Sequence, residues 1–385
     1  MSNTNLDNYR VLVIGPRRGL LDAIRARAIA FAVWQEKAAM PITDAQPLLT
    51  APLWNTTEKL KQTIRDELGA ERFTHVIAGS DAAVYPAAVA RRVLGARQSP
   101  TTTALRCRDK LAMKDYLSDF DIPMTDFLAE SSASSAEEVF ARLGTPIVRK
   151  RRKSSGGRGL EQLHSVADLV LRRDGRNILE RYVDASEASI ESFISNSEIR
   201  FVNTTRYLEK GHVNFVPAAF DDALQDKIIS LNHRVIEALK ISWGMTHLEV
   251  YLDENGLLFG EIALRPPGGY IMNAMQHAWA FNPWKALLAI ELDEDFDFPA
   301  GNAAYCGVEL FHPGAGEVAA IHGYDWLKQH PATREFRLKI KAGDTISKRE
   351  SAGQDVGYIL HASDTPAARL ALQNQLDGNF SIKMR

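Results

Sequence analysis

Two stretches of this chain gather residues that handle phosphate and carboxylate oxygens. In residues 146–160, PIVRKRRKSSGGRGL, Lys150 follows a short apolar run and leads into Ser154-Ser155-Gly156-Gly157-Arg158-Gly159. Glycine-rich backbone turns freely enough to aim several amides at one oxyanion, and the neighbouring cations add charge. A solvated basic hairpin tip has the same composition. It is not a Walker loop, because no G-x-x-x-x-G-K-[ST] occurs and a strand rather than a helix is expected next. The earlier turn at residues 15–19 lacks the G-x-G-x-x-G spacing of a dinucleotide site and reads as fold punctuation.

The second stretch is HLEVYLDENGLLFGEIALRPPGG, residues 247–269, which reads as two apolar strands around Glu254-Asn255-Gly256. A three-residue hairpin loop pairs Asp253 with Leu257 and sets Glu249 directly across from Glu261 on one face. Like charges so placed destabilise a sheet unless a cation lies between them, and magnesium accepts hard carboxylate oxygens alongside phosphate. Arg265, four residues on, can serve the same oxyanions. A two-residue Asn255-Gly256 turn would instead send the two acids to opposite faces as solvated glutamates. Gly268 and Gly269 then precede a helical pattern over 270–279. Their free amides and the helix N-terminus could receive a carboxylate or a developing oxyanion, or could be an ordinary flexible start of a helix.

These segments need elements to hold them. The run Val11 to Ile14 reads as a strand, followed by a tight turn and a helix over 20–34, and residues 74–78 read as a second buried strand before a helix ending at Leu94. Residues 1–100 thus resemble a small unit of parallel strands and helices. Thr101 to Thr103 can cap a helix that carries Lys110 early and Met113, Tyr116, Leu117 and Phe120 on one face. Short elements follow: a strand near Phe127, a helix opened by Ser135 and Glu138 and closed by Gly144, the strand before the basic loop, a strand at 160–163, a helix capped by Ser165 with Asp168, and a strand at 177–183. The rest alternates strands over 188–207, a helix over 222–239 and the acidic hairpin.

Composition narrows the function classes. The 385 residues carry 46 Lys plus Arg against 48 Asp plus Glu, so no overall field draws the chain to nucleic acid or an anionic membrane. Cys107 and Cys306 form no metal or redox motif, which suits a reducing cytoplasm. The polar start, Met1 to Arg10, does not look like a signal peptide, and no run approaches a bilayer span.

In order and content these motifs resemble the ATP-grasp superfamily, especially its carboxylate–amine ligases such as the bacterial L-amino acid ligases; biotin carboxylase and D-alanine–D-alanine ligase are more distant. The likeness runs along almost the whole chain. It implies an α/β (α+β) fold with a Rossmann-like domain at 1–105, a lid subdomain at 106–183 and a larger antiparallel-sheet catalytic domain at 184–385. It also implies that Lys110, Lys150 and the loop bearing Ser154, Ser155, Gly156 and Gly157 contact the phosphates of ATP. Glu180, Tyr182 and Val183 would line adenine, and Glu187 would hold the ribose. Glu249 and Glu261 would hold one or two Mg2+ ions, with Ala263 standing where many relatives carry a metal-bridging asparagine.

The activity so implied is ATP-dependent joining of a small carboxylic acid to an amine through an acyl phosphate, releasing ADP. Arg265, Lys150, Gly268 and Gly269 would stabilise the transferring charge. Arg206 and His212 are candidates for substrate contact, in a segment that equally suits a surface loop, and Tyr270 and Asn273 are candidates beside the glycine pair. The expected partners are small-molecule substrates, without nucleic acid or membrane, and a homodimer is left open. Two alternatives stand: activation of bicarbonate or formate in nucleotide metabolism, and ATP binding without catalysis.

Overall fold

The computed structural model describes residues 9–38, 40–54, 56–97, 99–253, 256–351 and 353–385. The expectations for residues 1–8, and for Glu254 and Asn255 of the hairpin turn, lie outside the described residues.

Near the N-terminus, Arg10–Ile14 forms the second-last strand of a four-stranded parallel sheet in the order Leu48–Thr50, Ala30–Gln35, Arg10–Ile14, His75–Ala78. Val11, Leu12, Val13 and Ile14 are fully buried, as a strand covered on both faces must be. The helix expected over 20–34 is corrected: it runs only over Arg18–Arg25, and Ala30–Gln35 is a strand. The run AFAVW is apolar at every position, so it fits a helix and a doubly covered strand equally by periodicity. The strand order reverses between Arg10–Ile14 and His75–Ala78, and Gly15 and Gly79 lie at the ends of those two strands.

A small antiparallel sheet orders Phe127–Ala129, Asn177–Arg181, Ile147–Arg151 and Glu161–Leu163. The helix Ala136–Leu143, capped by the Ser135 hydroxyl, packs Val139 and Leu143 against Leu128, Ile147 and Leu179. The single helix expected from Thr101 is two helices, Thr101–Arg106 and Lys110–Leu117. The break follows from Asp109, whose carboxylate accepts the amides of Leu111 and Ala112 and starts a new helix at Lys110. The helix expected after Ser165 is one 3-10 turn, Val166–Asp168, although its capping box is present.

An eight-stranded antiparallel sheet forms the body, in the order Gly256–Ala263, Gly244–Asp253, Ser186–Ser195, Glu198–Glu209, Val213–Val216, Tyr305–Phe311, Gly357–Ser363, Thr333–Leu338. Helices Ile271–Trp279 and Pro283–Glu291 pack within one of its cores. Ile190, Ile194 and Leu248, together with Asp222–Ala238, share another with Leu12 and Ile14 of the parallel sheet.

The acidic hairpin combines both turns weighed from the sequence. Asp253 pairs with Gly256 and Val250 with Phe259, the register of a two-residue connection, not the three-residue loop expected. Between Val250 and Glu249 the register slips by one residue at Gly260, and Glu249 then stands opposite Glu261. The bulge needs glycine, since a Cβ at residue 260 would lie 2.9 Å from the Glu249 carbonyl oxygen. Gly260→Val should therefore lower unfolding free energy by about 1–3 kcal/mol, read by urea denaturation. An unchanged midpoint would mean that the bulge tolerates a side chain.

Candidate active site

One face of the large sheet carries polar residues in register. Glu187, Ser189 and Glu191 on one strand oppose Tyr251, Glu249 and His247 on the next. Alternation puts each set on one face, and the basic loop of the small sheet stands across from them. Between them lies a cavity of about 650 Å³. Fourteen of the expected residues line it: Lys110, Lys150, Ser154, Ser155, Gly156, Gly157, Tyr182, Val183, Glu187, Glu249, Glu261, Arg265, Gly268 and Gly269.

The cations of the cavity rest on its acids. Lys110 Nζ lies 2.7 Å from Glu261 Oε2 and donates to the Ser154 carbonyl at 2.8 Å. Lys150 donates to Glu180 Oε2 at 3.0 Å, and Lys210 pairs with Glu187. Burial pulls the Lys150 ammonium down, but the charges of Glu180, Tyr251 and Glu261 outweigh it and hold its pKa above the ordinary value. In the loop, Gly156, Gly157 and Gly159 take φ of 64°, 73° and 72°, the left-handed region in which successive amides form an anion-binding hollow.

At the acidic end His247 Nδ1 lies 2.9 Å from the buried Glu191 carboxylate and its Nε2 lies 3.4 Å from Glu249 Oε1. Burial would raise the Glu249 carboxyl, but the His247 hydrogen bond and the charges of Lys210 and Arg265 overcome it, keeping the group ionised. Burial also disfavours the imidazolium, yet the hydrogen bonds to Glu191 and Glu249 leave the His247 pKa raised. Among the described residues no three His, Cys, Asp or Glu side chains are grouped as a metal site. Two opposed carboxylates are hard oxygen donors of the kind a divalent cation accepts alongside phosphate oxygens and water.

Five expected residues lie apart from the cavity lining. Glu180 is buried as the shared counter-ion of Lys114 and Lys150, each 3.0 Å from its Oε2. Arg206 has an exposed side chain on its strand, and His212 sits against Arg349. Tyr270 stacks on Tyr358 at 3.7 Å, and Asn273 donates to Glu335 at 2.9 Å. His247, Tyr251, Tyr207 and Lys210 line the cavity and were missed, although His247 and Tyr251 lie two residues either side of Glu249. Strand alternation alone would have found them.

The model for the ATP-grasp domain matches residues 115–277, and the model for L-amino acid ligase C-terminal domain 2 matches residues 309–385. The chain carries an ATP-grasp domain. As such it is an ADP-forming carbon–nitrogen ligase. This ATP-grasp ligase is 25% identical to the L-arginine-specific L-amino acid ligase of Bacillus subtilis over 78% of each chain. It is 26% identical to N5-carboxyaminoimidazole ribonucleotide synthase of Synechococcus elongatus over 71% of this chain and 70% of that one. The crystal structure of L-amino acid ligase from Bacillus licheniformis superposes with a TM-score of 0.79 at 16% identity, covering 98% of this chain and 99% of that one, a likeness of fold.

In this ATP-grasp ligase the Glu180 carboxyl is raised by burial, but Lys114 and Lys150 bring it down from 4.5 to about 2. A carboxyl lowered on folding stabilises the protein above its unfolded pKa, and that contribution is lost as pH falls through the folded pKa. Acid should therefore erode stability from about pH 4.5 down to about pH 2. Glu180→Gln should flatten that part of a urea-midpoint-versus-pH curve and lower stability at neutral pH, where Lys114 is left buried without its anion. Equal slopes in the two proteins would refute the assignment.

Proposed function

We propose that this protein joins a small carboxylic acid to the amine of a second small molecule through an acyl phosphate. What supports this reading most is the meeting, around one cavity, of the opposed Glu249 and Glu261 with Lys110, Lys150 and the glycine-rich loop. Carboxylates are poor electrophiles, so the reaction needs a leaving group, and the ATP γ-phosphoryl group supplies it.

Adenine would lie against Tyr182 and Val183, with the ribose hydroxyls on Glu187. Lys110, Lys150 and the amides of Ser154 to Gly157 hold the triphosphate. Glu249 and Glu261 would hold magnesium, one or two ions, which when bound neutralises phosphate charge. A substrate carboxylate oxygen attacks the γ-phosphorus and ADP leaves. Arg265 balances charge on the transferring group and then on the acyl phosphate. The amine attacks the acyl carbon, phosphate departs, and the nitrogen sheds its extra proton to give the amide. Closing of the small sheet over the cavity keeps water from the acyl phosphate in the meantime.

The cytoplasm is the compartment this chemistry suits, because ATP and small amino compounds are available there. Among the described residues no helix is long and apolar enough to cross a membrane.

The deciding experiment measures phosphate release from ATP and magnesium across a matrix of acids, bicarbonate and formate included, paired with amines, followed by product masses. Glu261→Ala should cut amine-dependent ADP release by roughly a hundredfold or more with an unchanged thermal midpoint. Turnover that survives in the variant would remove the metal role of Glu261, and release driven by bicarbonate or formate alone would move the protein to the carboxylase or formyl-transfer reading.

A further inference from the structure

A side chain that the reaction described above leaves unused lies on the floor of the cavity, in line with residues already placed there. Tyr251, Glu187, Tyr207 and Asn214 stand opposite one another in turn across four neighbouring strands, and all four line the cavity. Residues paired in this way share one face of the sheet. Asn214, on the strand Val213–Val216, thus turns its side chain to the cavity side although the residue is only 4% exposed. Its amide donates to the Gly269 carbonyl at 3.0 Å.

The loop that Asn214 touches is tied carbonyl by carbonyl. Arg265 donates to the Pro266 carbonyl, Arg17 to the Pro267 carbonyl, and the Ile271 amide to the Gly268 carbonyl at 3.1 Å. The Gly269 carbonyl completes the series, and among the described residues Asn214 is the one side chain bonded to either glycine. In a trans peptide unit the carbonyl and the following amide point opposite ways, so a tied carbonyl also aims an amide. Pro266 and Pro267 have no amide hydrogen. The first amides beyond Arg265 are therefore those of Gly268 and Gly269, and among the described residues neither has a protein acceptor. Both glycines line the cavity.

Two glycines in succession are the most permissive backbone of the loop, and close contact is what arrests them. A Cβ at Gly268 would meet nothing within 4 Å, whereas one at Gly269 would lie 2.8 Å from Asn214 Nδ2. Gly269 takes a φ of 58° and Tyr270 follows at 55°, a left-handed conformation that a tyrosine keeps only where its surroundings hold it. They do so here: the ring stacks on Tyr358 and the hydroxyl donates to Asp355 at 3.3 Å. We propose that Asn214 is a positioning residue of this ligase, holding the Gly269 carbonyl so that the glycine amides stay aimed at the oxygen that gains negative charge as the acyl group is transferred. The proposal rests on the ligase reading above. Because Asn214 acts through the backbone of the loop, its part lies in the rate of transfer and not in nucleotide binding.

The test compares the wild type with Asn214→Ala and Asn214→Asp, the second of the same shape but unable to donate as a carboxylate, using the acid and amine found in the matrix. Both variants should lower kcat roughly tenfold to a hundredfold while the KM for ATP stays at the wild-type value. Asn214→Gln, which keeps the amide donor, should recover part of the loss. An unchanged kcat, a rise in the KM for ATP as large as the fall in kcat, or an N214Q no better than N214D would overturn the assignment. Hydroxylamine keeps the two ideas apart. If the wild-type enzyme forms no hydroxamate from any acid with ATP and magnesium, the acyl phosphate reading fails. If it forms hydroxamate and N214D keeps the wild-type kcat, only the role of Asn214 fails.

Discussion

Glu249 and Glu261 stand directly opposite one another on neighbouring strands, an arrangement that an antiparallel sheet resists. Neighbouring groups make it tenable: the Lys110 ammonium lies against Glu261, and His247, itself fixed by the buried Glu191, lies against Glu249. The geometry reaches further than the pair. It requires a bulge at Gly260, it draws the helix Lys110–Leu117 against the hairpin, and it places Arg265 where the hairpin ends. Residues far apart in the chain are thus held by one local conflict of charge.

The hairpin also shows how far residue types alone carry a reading. Alternation along the two strands and the acids at their centres were plain, and the opposition of Glu249 to Glu261 follows from a three-residue loop. The chain reaches the same opposition by a shorter connection and a bulge, because Gly260 can come within contact of the Glu249 carbonyl. The glycine-rich loop and its lysine were equally visible, since they are contiguous. Substrate contacts were not. Tyr270 and Asn273 are adjacent in sequence to the glycine pair, but their side chains turn to Tyr358, Asp355 and Glu335, partners decided by strands some sixty to ninety residues later. No local pattern encodes that choice. The strand Ala30–Gln35 was hidden for another reason: burial on both faces erases the alternation that marks a strand.

The parallel sheet and the large sheet share a hydrophobic core in which Leu12 and Ile14 join Ile190, Ile194 and Leu248. A close-packed shared core of this kind sets the turn at residues 15–19 beside the loop Arg265 to Gly269. There Arg17 Nη2 donates to the Pro267 carbonyl at 3.2 Å, and Arg265 Nη1 donates to the adjoining Pro266 carbonyl at 2.9 Å.

Each lysine that faces the cavity is held by a carboxylate: Lys110 by Glu261, Lys150 by Glu180 and Lys210 by Glu187. These pairs are not equivalent. Glu180 is shared with the buried Lys114 and has no reason to leave, so Lys150 is a fixed charge that a phosphate adds to without displacing its partner. Glu261 and Glu187 line the cavity themselves, and there an arriving polyanion must exchange partners. Phosphate oxygens can take Lys110 from Glu261 only if the freed carboxylate finds another cation, since leaving it unpaired costs several kcal/mol. A nucleotide that brings its own divalent ion satisfies both sides of the exchange at once, whereas a bare polyanion does not. On the proposed reading, nucleotide and metal would act as a single ligand, selected by the way the acids already hold the lysines.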